Sequence, residues 1–137
     1  MSTHLKDKVE RIEQTITKLV EDSAKGKPIV VEGKKDEETL RDLGVAGAVL
    51  TLKTCGKSFL EATTEIEELR VGEVILLLDF DRRGREGTKR LLVDLERAKI
   101  KANVRFWHEL HALVGREVQS IESLTSYLKT LHEKGNC

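Results

Sequence analysis

Three carboxylates stand where the sequence turns from apolar to flexible. Glu32 follows Ile29-Val30-Val31 and precedes Gly33. Asp79 follows the apolar stretch at residues 74–78, and Asp81 lies two positions further on. Hard carboxylate oxygens in such places suit Mg²⁺, with Mn²⁺ as a substitute, because Mg²⁺ takes one or two carboxylates and keeps several waters. Packed carboxylates repel one another, and a cation is their natural neutraliser. Residues two apart in extended chain point the same way, so Asp79 and Asp81 are expected to face one ligand. Basic residues crowd both places: Lys34 and Lys35 after Glu32, then Arg82, Arg83 and Arg85 after Asp81. Gly33 and Gly84 permit close backbone approach. A cation flanked by guanidinium and ammonium groups is what a phosphodiester needs. Lys35, Arg82, Arg83, Gly33, Gly84 and Gly56 are therefore the candidate phosphate or nucleic-acid contacts. Taken singly, Glu32 and Asp81 read equally well as helix caps or loop acids. The basic stretch reads equally well as a solvated face paired with Glu86 and Asp94.

The elements that must position these residues follow from periodicity. Leu5, Val9, Ile12, Ile16 and Leu19 recur at helical spacing and share one face, and Gly26 with Pro28 ends that helix. Residues 29–31 form a short β-branched run, expected as a strand buried on both sides. Helix is expected over 36–43, strand over 48–50, and helix over 57–69 with Leu60, Ile66 and Leu69 inward. Strand is expected over 74–78 and helix over 84–99 with Leu91, Leu92, Leu95 and Ala98 inward. A fourth strand is expected over 102–106, followed by closing helices over 108–114 and 121–131. Alternating strands and helices imply βαβ units with a parallel sheet and right-handed crossovers. The expected fold class is α/β: a Rossmann-like sheet of about four parallel strands between helices, with an added N-terminal helix. In such sheets ligands bind outside the carboxyl ends of the strands, where Glu32, Asp79 and Asp81 fall.

Composition narrows the classes. The chain has 137 residues, which suits one domain. The expected division is an N-terminal helix over about 3–25, a core over 27–106 and closing helices over 107–133. Charged residues make up 35%, against roughly a quarter in average proteins. The 24 basic and 24 acidic residues cancel, so affinity for phosphate must come from a local cluster. Sparse Asn and Gln with heavy Glu, Lys and Arg use suggests a thermophilic source. Two cysteines, Cys55 and Cys137, make neither a disulfide framework nor a zinc set. The polar N-terminus and short apolar runs point to a cytoplasmic protein without membrane contact. Gly56-Lys57-Ser58 imitates the end of a P-loop, but Thr51 stands where the first glycine belongs. His108 and His111 lack a third ligand. Trp107 reads as a core or interface residue.

The ordered pair Val30-Val31-Glu32-Gly33-Lys34-Lys35-Asp36 and Leu77-Leu78-Asp79-Phe80-Asp81-Arg82-Arg83-Gly84 resembles the Toprim family. That family joins a strand-end Glu-Gly to a strand-end Asp-x-Asp. It includes topoisomerases, primases, recombination mediators, old-family nucleases and a ribonuclease that matures ribosomal RNA. The chain looks most like the short archaeal Toprim proteins of uncharacterised function, and the resemblance covers residues 27–106. It implies that Glu32 is a general acid/base or metal ligand, that Asp79 and Asp81 are the metal pair, and that the ion is Mg²⁺. Thr54-Cys55-Gly56 sits where the ribosomal-RNA ribonucleases carry a Thr-x-Gly turn. Arg83 replaces a third acid found in many topoisomerases, which puts a second metal in doubt. Tyr127 falls in a closing helix, and no further domain is read that would bring a tyrosine nucleophile. Topoisomerase and full primase activity are therefore not expected. The expected function is Mg²⁺-dependent nuclease or phosphotransfer chemistry on RNA or DNA. The alternative is a non-catalytic, metal-dependent binding module, as a homodimer or within a larger nucleic-acid-processing complex.

Overall fold

The computed structural model describes residues 3–52 and 58–135. Thr54, Cys55 and Gly56 lie outside these residues, as does Cys137. The chain opens with helix α1 (Thr3–Ala24), whose Val9, Ile12, Ile16 and Leu19 are buried as their spacing requires. Gly26 takes φ +95°, a left-handed value open to glycine, and Pro28 then starts the path into strand β1 (Ile29–Val31). Helix α2 (Lys34–Asp42), strand β2 (Val49–Thr51), helix α3 (Phe59–Glu68) and strand β3 (Glu73–Leu76) follow. Helix α4 (Arg82–Arg97), strand β4 (Lys101–Asn103) and helix α5 (Arg105–Val114) come next. A 3₁₀ turn at Ile121–Ser123 leads into helix α6 (Leu124–Gly135).

The four strands are all parallel, in the order β2-β1-β3-β4. Each strand is too short to stand alone, and the central pair, β1 and β3, is buried on both faces. Ile29, Val31, Ile75 and Leu77 enter one core with α1, α5 and α6. Val30, Val74, Leu76 and Leu78 enter the other with α3 and α4. The alternation of adjacent residues between the two cores is the strand pleat made visible. No helix among the described residues is long and apolar enough to cross a membrane.

Two expectations need correcting. The fourth strand stops at Asn103, and Phe106 is a buried residue of α5. Asn103 Oδ1 accepts the Arg105 backbone N–H at 2.9 Å, which turns the chain out of the strand three residues early. Leu60 and Leu69 do not face inward. They are 70% and 42% exposed, and Ala62, Thr63 and Ile66 form the inner face of α3.

Candidate metal centre

Strands β1 and β3 are neighbours, with Val30 opposite Leu76. Pairing continues past the strand, because Leu77 N–H donates to Val30 C=O at 2.8 Å. The Glu32-Gly33 turn and the segment Asp79-Phe80-Asp81 therefore leave the same end of the sheet side by side. Glu32, Asp79 and Asp81 are all half-buried there.

Both motif loops are tied down by carboxylates. Asp36, only 5% exposed, accepts the Gly33 N–H on Oδ2 at 3.1 Å and the Glu122 N–H on Oδ1 at 2.8 Å. Asp81 caps α4, its Oδ1 accepting the Gly84 N–H at 2.7 Å. A β-carbon at Gly84 would collide with the Asp79 carbonyl, so this helix start can approach the strand end only with glycine there. The Gly33 and Gly84 amides, candidates for phosphate, are thus engaged within their own turns.

The aromatic side of the site was not foreseen as support. Trp107 Nε1 donates to Leu78 C=O at 2.9 Å, holding the residue just before Asp79. Phe80 is buried, with its ring centroid 5.6 Å from those of Trp107 and His111. Its N–H donates to Gln119 C=O at 2.7 Å. His111 stacks on Trp107 at 5.1 Å, which makes it a packing residue. Segment 119–122 therefore braces both loops, through Gln119 on one and Glu122 on the other. Asp36 stands at the third helical position, from which a carboxylate reaches back to the amide before the helix, as in half of a capping box. No spacing rule reaches Gln119 or Glu122.

Asp79 lines a cleft of about 270 Å³ with Lys34, Lys35, Asp36, Ser120 and Glu122. Larger hollows exist, one of about 430 Å³ between α1 and α5, but they lie away from the strand ends. Lys35 reaches Glu122 at 3.9 Å, and Arg82 pairs with Glu86 at 3.1 Å. Arg83 is exposed.

No three His, Cys, Asp or Glu side chains are gathered tightly enough to cage a metal ion among the described residues. The chain also leaves the regular pleat here. Leu77 and Phe80 are three apart yet share a core, so the chain between them is not regularly extended. The rule that aligns residues two apart therefore does not hold for Asp79 and Asp81. Asp79 faces the cleft beside α2, while Asp81 turns to the start of α4. The donors still fit Mg²⁺ in kind and number, because that ion needs one or two carboxylates and keeps its waters. A capping carboxylate also retains a second oxygen for a ligand.

A family model described as the Toprim domain matches residues 27–107. A UPF0292 protein of Methanocaldococcus jannaschii is 43% identical over 106 residues, covering 77% of this chain and 80% of its own. A UPF0292 protein of Methanosarcina acetivorans is 34% identical over 127 residues, covering 93% and 86%. A solved structure of a protein from Aquifex aeolicus superposes with a TM-score of 0.66 at 24% identity, over 80% of this chain and 94% of that one. It shares the fold. The brace at 119–122 lies outside the matched span.

Proposed function

Because the chain belongs to the Toprim domain family, we propose that it is a Mg²⁺-dependent protein acting on nucleic-acid phosphodiesters. The family carries the coarse reading, metal-dependent work on nucleic acid. One observation supports the finer one: β1 and β3 are adjacent and parallel, so Glu-Gly and Asp-x-Asp leave the same sheet end beside a cleft bordered by Lys34 and Lys35. Asp79 and Asp81 would hold the ion, and Glu32 would share it or serve as the general acid or base. When bound, the ion polarises a phosphoryl oxygen and neutralises developing charge. Lys35, Arg82 and Arg83 hold the other phosphate oxygens by charge-assisted hydrogen bonds. Arg82 is free to change partner, because its pair with Glu86 is highly exposed and contributes about 0–1 kcal/mol.

The second reading keeps the ion and the phosphate contacts but removes turnover. The zero net charge favours it, since no long-range field gathers nucleic acid here. One experiment separates the two. RNA, single-stranded DNA and duplex DNA are incubated with the protein and Mg²⁺ or Mn²⁺, with Asp79→Ala as control. Cleavage lost in the control supports an enzyme. Mg²⁺-dependent binding with intact substrate supports a module. Absence of Mg²⁺ binding by calorimetry sinks both.

A further inference from the structure

Along the seam between α1 and α5, a hollow of about 430 Å³ meets one of about 440 Å³, and Ala112 and Leu113 line both. Lys8, Arg11, Thr15 and Lys18 recur at steps of three and four, which sets them on one face of α1, and that face lines the seam. The acids of the seam are already engaged. Glu109 lies 3.1 Å from Arg105, and Glu117 lies 3.7 Å from Lys8. Arg11, Lys18 and Arg116 are exposed and form no ion pair with any described residue. Arg11 and Lys18 stand in one hollow, roughly 10 Å apart along the helix. Two cations held in a hollow whose lining acid is already paired attract an anion.

We propose that this seam is a second nucleic-acid contact, a track for the phosphate backbone of a single strand. The track presupposes the nucleic-acid reading above, yet Arg11, Lys18, His108 and Arg116 all lie outside the matched span 27–107. The chain has no net charge, so a phosphate backbone must be caught by a local surplus of cations. The seam holds such a surplus. Unpaired bases stack on rings and guanidinium planes, and the exposed His108, Arg11 and Arg116 supply both. An acidic peptide would use the charges but not the ring. The surplus is also narrow. Glu10, Glu13 and Glu21 line an adjoining hollow that shares Gln14 and Lys18 with the seam. A single strand avoids those carboxylates, whereas the second strand of a duplex would lie against them. Arg116 stands four positions before Ser120, which lines the metal cleft, so at most about 14 Å separates the two. A strand leaving the seam at Arg116 therefore arrives near Asp79.

Fluorescence anisotropy of a labelled oligouridylate with the full chain tests the track, in chelator and in Mg²⁺, across a salt series. Wild type should bind in chelator at low salt, because the seam needs no ion. Arg11→Gln, Lys18→Gln and Arg116→Gln together should weaken that binding at least about tenfold. The salt slope should flatten by about two units, at roughly 0.7 per phosphate contact on a single strand. A control with Lys25→Gln, Arg97→Gln and Lys129→Gln removes the same charge elsewhere and should bind as wild type does. All six side chains are exposed, so both variants should melt as wild type does. With no substitution at all, bound RNA should protect Lys18, but not Lys25, from an amine-acylating reagent. Equal loss in the two triple variants overturns the track, as does an unprotected Lys18. Displacement of the RNA by polyglutamate at the same charge concentration would give the seam to acidic peptides. A duplex that binds as tightly as the oligouridylate would overturn the single-strand assignment. The metal reading fails separately. Mg²⁺-dependent binding that the seam variant keeps in full removes the track and leaves that reading standing. Binding in chelator that the seam variant loses keeps the track even where Mg²⁺ adds nothing.

Discussion

Asp79 is half-buried at the end of the central apolar run, with Asp36 and Glu122 lining the same cleft. Lys34 and Lys35 line that cleft too, so Asp79→Asn should weaken the ion's hold while leaving the metal-free fold intact. The expected outcome is a Mg²⁺ affinity reduced at least about tenfold, with a metal-free melting temperature close to wild type. Calorimetry and thermal melts check it, and a metal-free mutant that melts well below wild type would assign Asp79 a structural role. At the opposite end of the sheet, Glu73 accepts from Asn103 Nδ2 at 3.0 Å and lies 3.3 Å from Lys27 and 3.7 Å from Lys101. Partial burial would raise its pKa, but the hydrogen bonds from Asn103 and Lys27 and the two positive charges outweigh that and lower it below the usual 4.5. A carboxylate whose folded pKa is depressed contributes stability above its unfolded pKa and loses it as pH falls through the folded one. Stability should therefore decline as pH drops below about 4.5, and Glu73→Gln should flatten that part of the curve in denaturant melts. An acid limb identical in the mutant would show that other carboxylates set it.

Among the elements, α4 has two duties. Its first turn is pinned by the Asp81 cap and by the close seat of Gly84 on the strand end, so its leading arginines occupy a fixed place beside the Asp-x-Asp segment. Arg82 and Arg83 are nonetheless exposed, and Arg82 exchanges its Glu86 partner at little cost. Replacing both by Ala should weaken binding of RNA or DNA while leaving Mg²⁺ affinity unchanged. Each charge-assisted hydrogen bond lost costs roughly 1.5–3 kcal/mol in a partly dry site, and the salt dependence flattens by about one unit of slope per phosphate contact. A salt titration of wild type and double mutant reads both quantities. An unchanged slope would leave these arginines as surface ion-pair residues, and lost Mg²⁺ binding would mean that they hold the aspartates in place.

At the scale of the whole molecule, the chain's closing part finishes what the sheet begins. Asp36 on α2 and Glu122 at the last turn are 86 positions apart, yet one carboxylate bonds the amides on both sides of the cleft. Asp36→Asn keeps the size but replaces one accepting oxygen by an NH₂ that cannot accept. One partly buried amide then loses its partner, which costs about 1 kcal/mol. Denaturant melts should show that loss, together with a weaker Mg²⁺ affinity from a looser Gly33 turn. Asp36→Glu should not restore it, because the longer side chain cannot sit between both amides. Full stability in Asp36→Asn would mean that the brace holds without this residue.

The sequence by itself determined the element types and the candidate site residues. Apolar periodicity reports which residues need burial, and it separated helices from strands down to the three-residue β1. The Glu-Gly and Asp-x-Asp segments were placed at strand ends by the runs that precede them. Tertiary structure decided what periodicity cannot express. It set β1 beside β3, which makes two distant motifs neighbours. It broke the pleat after Leu78, so that the extended-chain rule no longer sets the directions of Asp79 and Asp81. It left Leu60 outside, because a helical stripe shows that a side chain is apolar but not which surface covers it. It also brought Trp107, Gln119 and Glu122 to the site through hydrogen bonds to or from the backbone, and such bonds depend on position in space and leave no spacing in the sequence.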